Sequence, residues 1–362
     1  MNPALRQQSD AARGLMERVL REGAPIAPEY PLVFAGARNA AFVVDEDGGE
    51  ALSACALLER DLSVRQRTIR AGLIGSVATE PLARRQGRGA AVLAAAEQEL
   101  ARRGALLAIL WADDAAYYEK RGWKPFGWEI DFTIAPECAA QLPEPFGVRE
   151  RKPEDDGQIH QLYERHPERV ARTSAETSAL LSCPNMEVLV VERWGRIAGY
   201  TCLGRGADLQ NVVHEWAGDA QALLTLLREH LARRKERGVE EALFLICPPS
   251  AVDVAERLTK IGAQMSQGVV GMGKILRPLA AGELAATLLD RRGGVRCSGA
   301  DEQGNVRFSG PKGEASCTRE ALLELLFAPR AERAMVESVG GQLGVPGVEL
   351  PLTPFLWGLD SI

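Results

Sequence analysis

The sequence has no long apolar run, and this absence excludes a membrane-spanning helix. The longest apolar stretch, 105–112, is far shorter than the about 20 residues that a bilayer requires. The first residues, MNPALRQQSDAARG, also lack the apolar segment of a signal peptide. An excess of basic residues is missing as well, because 43 Lys and Arg stand against 49 Asp and Glu. A net charge of −6 disfavours a general nucleic-acid binder, so we expect neither a membrane nor a nucleic-acid partner.

Cysteine and histidine are few and scattered. The seven cysteines include no Cys-x-x-Cys pair, and the four histidines have no zinc-like spacing with cysteines or with each other. A structural zinc site or a disulfide framework would need such regular spacing. We therefore expect reduced thiols, no metal ion and a cytoplasmic location.

The residues that are present predict a packed protein with an internal repeat. Hydrophobic residues make up 46% of the 362 residues, and at about 150 residues per domain this length predicts two or three domains. Segments 41–55 (AFVVDEDGGEALSAC) and 188–202 (VLVVERWGRIAGYTC) share an apolar run, a charged turn with glycine and a second run. This pattern predicts a β-hairpin in each copy.

The two copies also share a helix pattern farther along the chain. Both have apolar residues at positions i, i+1, i+4 and i+8, which lie on one helix face. These residues are Val92, Leu93, Ala96 and Leu100 in the first copy, and Leu223, Leu224, Leu227 and Leu231 in the second. Short apolar strands follow at 105–111 and 242–247. Each copy therefore predicts a hairpin, a strand, a helix and a strand.

The repeat ends near residue 276, where a third region begins. In this region the pattern predicts a helix at 281–290, strands at 294–298 and 305–309, and helices at 319–327 and 331–339. We expect an α/β (α+β) fold in three units, with limits at 1–146, 147–275 and 276–362.

A glycine- and arginine-rich turn opens the first repeat helix. A β-like run ends at Val77, Ala78 and Thr79, Pro81 interrupts it, and the turn then leads straight into the helix; its residues are Arg84, Arg85, Gln86, Gly87, Arg88, Gly89 and Ala90. Glycines allow a close approach of the backbone, and the free N–H groups of a first helical turn bind anions. Guanidinium groups match phosphate oxygens. The turn therefore predicts a pyrophosphate or phosphate site, although it is neither a P-loop nor a dinucleotide fingerprint.

These residues resemble those of a known family. The turn matches R/Q-x-x-G-x-G/A, the acetyl-CoA signature of the GNAT acetyltransferases, and DDAAYYEKRGWKPFG at 113–127 resembles their Y-x-x-x-G-F/Y segment. With its second copy and small third region, the chain is most similar to the Eis-type (enhanced intracellular survival) enzymes. The resemblance implies tandem GNAT folds, each a mixed central sheet flanked by helices, and a sterol-carrier-protein-like C-terminal domain. It also implies acetyl-CoA as co-substrate and a homo-oligomer, specifically a hexamer.

The second copy differs from the first in charge. Aligning the two helices places Glu215 where the first copy has Arg84, and Asp219 where it has Arg88. Acidic side chains would repel a phosphate. We therefore expect 1–146 to be the catalytic domain that binds acetyl-CoA and 147–275 to be a degenerate copy.

The resemblance also implies catalytic roles. It assigns the pantetheine and the thioester carbonyl to the backbone of Val77, Ala78 and Thr79, and proton donation to the leaving thiolate to Tyr118. The general base would be the C-terminal carboxylate, here that of Ile362. The apolar end of the chain, PLTPFLWGLDSI, predicts a docked tail, which would position that carboxylate or serve only for stability. Asp360 is a further candidate for orienting a cationic amine.

We therefore expect an acetyl-CoA-dependent N-acetyltransferase that acts on a primary amine. The acceptor would be a small molecule of polyamine, aminoglycoside or lysine type. Two alternatives remain: an acyltransferase with a longer acyl donor, and a non-catalytic sensor that binds CoA or acyl-CoA.

Overall fold

A computed structural model describes residues 3–329 and 332–362 of the chain. Its first sheet is mixed, and its strands follow one another in space as β1 (Ala4–Arg6), β2 (Ala40–Asp47), β3 (Glu50–Val64), β4 (Arg67–Thr79), β5 (Leu107–Leu110), β15 (Gly271–Ile275) and β6 (Lys124–Phe126), with β9 (Arg169–Val170) paired to β3. The second sheet has the order β14 (Gln264–Gly268), β7 (Glu129–Ile134), β13 (Leu243–Cys247), β12 (Asp208–Gly218), β11 (Arg196–Arg205), β10 (Glu187–Arg193) and β8 (Val148–Glu150).

A small third sheet and a set of helices complete the fold. The third sheet has the order β16 (Arg296–Ala300), β17 (Val306–Gly310) and β18 (Gly313–Cys317). The helices are α1 (Asp10–Leu20), α2 (Pro31–Phe34), α3 (Arg88–Arg102), α4 (Ala115–Glu119), α5 (Asp156–Tyr163), α6 (Ser174–Leu180), α7 (Ala220–Glu236), α8 (Val252–Lys260), α9 (Pro278–Leu289), α10 (Arg319–Phe327) and α11 (Ala334–Leu343). Within the described ranges, no helix combines the length and the apolar character needed to cross a membrane.

The two copies of the repeat are present as predicted. The hairpins are β2–β3 and β10–β11, and each is followed by a strand, a helix and a parallel strand: β4–α3–β5 in the first copy and β12–α7–β13 in the second. All eight of the apolar helix residues that define the repeat are buried. The predicted fold class, mixed sheets flanked by helices with a small C-terminal α+β part, is confirmed.

The first sheet separates two cores. Side chains alternate along each strand, so Leu107 and Ile109 of β5 face one side and Ala108 and Leu110 face the other. The second of these sides packs against the apolar stripe of α3. The first side belongs to the large core, which continues into the second sheet and the C-terminal part. A ligand between β4 and β5 would therefore face the large core on one side of the sheet and the core beneath α3 on the other.

The two sheets exchange strands. β15, which ends the second copy, lies in the first sheet between β5 and β6, and β7, which ends the first copy, lies in the second sheet between β13 and β14. Neither sheet is therefore built from one predicted unit alone. The domain limits 1–146, 147–275 and 276–362 remain a prediction.

The C-terminal part has the predicted elements and one more strand. α10 matches its predicted limits, and α9, α11, β16 and β17 lie within a few residues of theirs. Ala331, the predicted start of the last helix, is outside the described residues, and the observed helix begins at Ala334. The strand β18 was not predicted, because its sequence, GEASC, contains little that is β-branched or aromatic.

Candidate active site

A β-bulge in β4 opens the first sheet beside β5. Gly75 pairs with Ala56 of β3 and Ala78 pairs with Ala54, so two residues of β4, Ser76 and Val77, face one residue of β3. Ser76 has a φ of 49°, a left-handed conformation that is uncommon for a residue with a side chain. Bulges bend a strand and re-aim its groups. We therefore expect the bulge to bend the end of β4, which still pairs with β3 at Thr79, away from β5.

The parallel pairing of β4 with β5 ends before this bulge. Its last pair is Leu73 with Ile109. Among the described strands, none pairs with the β5-facing edge of β4 beyond that point. Of the predicted contacts of the thioester arm, Val77 and Thr79 are half-buried, and the carbonyl of Ala78 accepts a hydrogen bond from Ser53 Oγ at 3.2 Å. This stretch of backbone can therefore bind an extended ligand along its free edge.

The N-terminus of α3 is open to an anion. Its N-cap, Gly87, has a φ of 79° and supplies no side-chain cap. Such a left-handed turn favours glycine, and it leaves the N–H groups of the first turn, from Arg88 to Ala90, without a capping side chain. Arg84, Arg85 and Gln86 are exposed beside this helix end. These residues fit a diphosphate, because the helix end offers free N–H groups and the helix dipole, and two exposed arginines lie just before it in the chain.

Arg88 has a different environment from the two arginines before it. Its Nη1 donates to Oδ2 of Asp45 at 2.7 Å, and Asp45 is buried in β2. The ion pair fixes the start of α3 to the sheet. Arg88 therefore holds the turn in place through Asp45. Arg84 and Arg85 are exposed, and Arg84 Nε donates to the carbonyl of Thr79 at 3.3 Å.

Gly89 lies where a side chain would obstruct the helix end. A Cβ atom there would be 3.2 Å from Thr79 Oγ1 and 3.2 Å from the hydroxyl of Tyr117. The end of β4 at Thr79, the start of α3 and the hydroxyl of Tyr117 in α4 therefore meet at this point. The predicted residues from Val77 to Ala90 are thus brought together in space.

Tyr118 lies on the α3 side of the first sheet. It is half-buried, packs edge-on against Trp123 with ring centroids 6.2 Å apart, and packs edge-on against Tyr117 at 5.1 Å. Burial, with a smaller effect from Tyr117, raises the pKa of Tyr118 to about 12. The phenol therefore keeps its proton at neutral pH and is able to donate it.

The C-terminal carboxylate of Ile362 lies on β4 at Gly75. A Cβ atom at residue 75 would overlap the carboxylate carbon and oxygen of Ile362. The Ile362 side chain packs on the large core, whereas Tyr118 packs on the opposite core. The two predicted catalytic groups therefore approach the first sheet near its bulge from opposite faces. Gly75 was not singled out from the sequence, although an isolated glycine within a strand is a known sign of close approach.

The tail that carries this carboxylate is docked, as its apolar sequence predicts. Phe355, Leu356 and Trp357 are buried. The Trp357 ring lies 4.3 Å from His166 and 5.5 Å from Trp216, centroid to centroid. These contacts leave the last residues of the chain little freedom to move.

Asp360 does not have the environment of an amine-orienting residue. Its side chain is fully buried, where Oδ1 accepts from Arg172 Nε at 2.7 Å and Oδ2 accepts from the hydroxyl of Tyr163 at 3.0 Å. Arg172 also binds both carboxylate oxygens of Glu215, at 3.0 and 2.7 Å. The expectation that Asp360 meets a cationic substrate is wrong, because both of its oxygens have partners inside the protein.

The alignment that placed Glu215 in a second phosphate turn is also wrong. Residues 80–87 connect β4 to α3, whereas Asp219 alone connects β12 to α7. Glu215 therefore lies within β12, and the second copy has no such turn. The carboxylate of Asp219 caps α7 by accepting from the Ala222 N–H at 2.7 Å. A carboxylate of the chain thus lies where the first copy leaves room for an anion.

No metal site is found in the described parts of the chain, 3–329 and 332–362. No three or more His, Cys, Asp or Glu side chains come close enough there to share an ion. The site described above contains hydroxyl, guanidinium, carboxylate and backbone groups. Such groups suit binding of phosphate and transfer of protons.

Comparison with known sequences identifies the first part of the chain. A family model of the acetyltransferase (GNAT) domain matches residues 29–126, which include β2 to β6, the turn and Tyr118. A search of curated proteins finds no match. The chain therefore contains a GNAT acetyltransferase domain.

Solved structures share the fold of this chain, and two of the three described below match it over its whole length. A conserved protein of unknown function from Enterococcus faecalis V583, described as a probable N-acyltransferase, has a TM-score of 0.68 at 13% identity, with all of both chains covered. A GCN5-related N-acetyltransferase from Anabaena variabilis ATCC 29413 has a TM-score of 0.66 at 12% identity, again with full coverage. Eis1 from Mycobacterium abscessus has a TM-score of 0.50 at 17% identity, over 77% of this chain and 75% of that one.

Proposed function

We propose that this chain, whose residues 29–126 form a GNAT acetyltransferase domain, transfers the acetyl group of acetyl-CoA to a small primary amine. The acceptor is of polyamine, aminoglycoside or lysine type. The acetyl group passes directly from the thioester to the amine.

The donor would be held by the turn and the bulge. The open N-terminus of α3 with Arg84 and Arg85 fits the diphosphate, and the free edge of β4 from Val77 to Thr79 fits the extended arm. Acetyl-CoA supplies an acetyl group that is activated as a thioester. The protein supplies position and proton transfer around it.

Two groups of the chain, the terminal carboxylate and a tyrosine side chain, would move the protons. A carbon–nitrogen bond forms while the carbon–sulfur bond breaks, so the amine loses a proton and the thiolate gains one. The Ile362 carboxylate accepts the proton of the amine, and the Tyr118 phenol donates its proton to the sulfur. The raised pKa of Tyr118, about 12, keeps this phenol protonated before each turnover.

The observation that carries the proposal is the position of Ile362. Its carboxylate lies on Gly75, immediately before the bulge, on the sheet face opposite to Tyr118. An amine that arrived from the large-core side would meet the carboxylate, and a thiolate on the α3 side would meet the phenol. This arrangement suits direct attack, because base and acid lie on the two sides of the reacting bond.

The test is release of free CoA thiol from acetyl-CoA in the presence of an amine panel. We expect amine-dependent release by the full-length chain. Deleting Ile362 withdraws the carboxylate by one residue, about 3.8 Å, and should lower kcat more than it raises KM for acetyl-CoA. Faster turnover with a longer acyl-CoA would instead assign a longer donor. Thermal stabilisation by CoA without turnover of any amine would contradict the proposal and favour a sensor.

A further inference from the structure

Arg205, the last residue of β11, is a buried cation with neutral partners. It is 2% exposed. Its guanidinium lies 4.4 Å from the centroid of the Tyr30 ring. Across the described residues, none of its hydrogen-bond acceptors is a carboxylate. A buried charge is costly unless hydrogen bonds compensate for lost water, so its acceptors must be well placed.

These acceptors come from two distant parts of the chain. Nε and Nη2 donate to the carbonyl of Glu29, at 3.2 and 3.1 Å. Nη1 donates to the carbonyl of Gly358 at 2.6 Å, the carbonyl of Ser361 at 3.1 Å and Ser361 Oγ at 2.8 Å. One guanidinium from the second sheet therefore joins the segment before α2 to the last turn of the tail.

We infer that Arg205 is a positioning residue, which holds the tail so that the Ile362 carboxylate lies on Gly75. The inference rests on the proposed function, in which that carboxylate accepts the proton of the amine. Ser361 is bound by Arg205 through both its carbonyl and its hydroxyl, and it immediately precedes Ile362. The direction in which the chain leaves Ser361 therefore sets the place of the terminal carboxylate.

A second anchor from the same half of the chain supports this role. Asp360 is bound by Arg172, and Arg172 is bound by Glu215 of β12. The side chain of His214, next to Glu215, packs on Gly358, where a Cβ atom would come within 2.5 Å of it. The second copy, whose α7 is capped by its own carboxylate, thus supplies the groups that hold the tail. In this proposal the second copy positions the C-terminal tail, whose carboxylate acts in the site of the first copy.

The experiment compares Arg205→Met and Arg205→Lys with the full-length wild type. Trimming of Ile362 by a carboxypeptidase, followed by mass spectrometry, reports on the tail without any need for activity. We expect Arg205→Met to be trimmed at least about tenfold faster, because local opening exposes a tail that has lost its hydrogen bonds. We expect its kcat to fall by about tenfold or more at unchanged KM for acetyl-CoA, with partial rescue in Arg205→Lys. Arg196→Met, an exposed change at the other end of β11, serves as the matched control and should match wild type.

A milder variant decides the matter if Arg205→Met does not fold. Ser361→Ala removes one acceptor of Arg205 and keeps the carbonyl, and we expect trimming about two- to fivefold faster with a similar loss of kcat. The inference would be overturned if Arg205→Met folds and shows the trimming rate and the kcat of the wild type. If Arg205→Met does not fold, the same result for Ser361→Ala would overturn it. A third outcome is faster trimming of Arg205→Met when even the wild-type chain releases no CoA thiol with any amine of the panel. This outcome would keep the role of Arg205 in holding the tail but overturn the proposed function.

Discussion

At residue 75 the lack of a side chain makes room for the end of the chain. Gly75 is buried in β4, and its φ is not in the left-handed region, so backbone conformation does not demand glycine. The demand comes from the Ile362 carboxylate, which occupies the place of a Cβ atom. The absence of a Cβ atom at residue 75 thus allows the terminal carboxylate to lie against β4.

Gly75→Ala should therefore displace the carboxylate without removing it. We expect kcat to fall by about 10²-fold, the usual effect of a lost general base, with little change in the affinity for CoA. Steady-state rates and calorimetric CoA binding provide the measurement. Gly157→Ala in α5 is the control, because a Cβ atom there meets nothing within 4 Å. Equal kcat for Gly75→Ala and wild type would show that the carboxylate is not needed where it lies.

Tyr118 gives a prediction about pH. A phenol whose pKa is raised to about 12 loses its proton only as the pH approaches that value. We expect the rate to rise with pH as the amine becomes neutral, with no loss caused by Tyr118 below about pH 10. Tyr118→Phe should lower kcat by about 10²-fold across this range. A fall in wild-type rate between about pH 8 and 10 that is absent from Tyr118→Phe would contradict this prediction.

At the residue scale the sequence allowed some roles to be predicted and not others. Gly87, Arg84 and Tyr118 belong to short motifs, so their neighbours in the chain are enough to predict a role for them. Gly75 and Arg205 acquire their roles from residues far away in the chain, namely Ile362 and Ser361. No local pattern carries that information.

At the scale of elements, the start of α3 separates two kinds of arginine. Arg84 and Arg85 are exposed, whereas Arg88 is paired with the buried Asp45. The first two are available to a ligand, and the third stabilises the turn. The same motif therefore contains two arginines that we expect to bind phosphate and one, Arg88, whose ion pair with Asp45 fixes the helix to the sheet.

Reversing these charges should have two distinct effects. Arg84→Glu or Arg85→Glu should weaken CoA binding by about tenfold or more at an unchanged unfolding temperature, because like charges repel phosphate. Arg88→Glu should instead lower the unfolding temperature, because Asp45 would be buried beside a second carboxylate. Calorimetric titration and thermal unfolding measure the two effects, with Arg307→Glu on the exposed face of β17 as control. Unchanged CoA affinity in both Arg84→Glu and Arg85→Glu would remove the phosphate site from the end of α3.

Most elements were predictable because their signals are local. The buried stripe of α3 and the hairpin runs follow the helix and strand periods directly. The comparison of the two turns failed, because the second copy has only Asp219 between β12 and α7. A constant offset cannot align two segments when one of them has lost most of a loop.

At the scale of the whole molecule, the exchange of β7 and β15 makes the two sheets depend on each other. β15 lies between β5 and β6, so the first sheet is interrupted without it. The buried face of β7, with Ile130, Phe132 and Ile134, packs in the second sheet's core. This exchange was not predictable, since a strand's sequence specifies its faces and not its partner.

The fragment 1–146 should therefore not fold by itself. It would lack β15 and expose the apolar face of β7, and both defects favour aggregation. We expect it to show no cooperative thermal transition by circular dichroism, and we expect co-expression with 147–362 to restore a soluble complex. A sharp transition of the isolated fragment would show that the first sheet closes without its borrowed strand.

The same exchange sets an order of events at the ribosome. Domains usually fold as they emerge, from the N-terminus onward. Here the nascent first sheet keeps an open margin along β5 until residues 271–275 have left the exit tunnel. The half of the molecule that contains the GNAT domain is synthesised early but completes its sheet late, so a translation pause before residue 271 would leave that sheet unfinished and in need of chaperone protection.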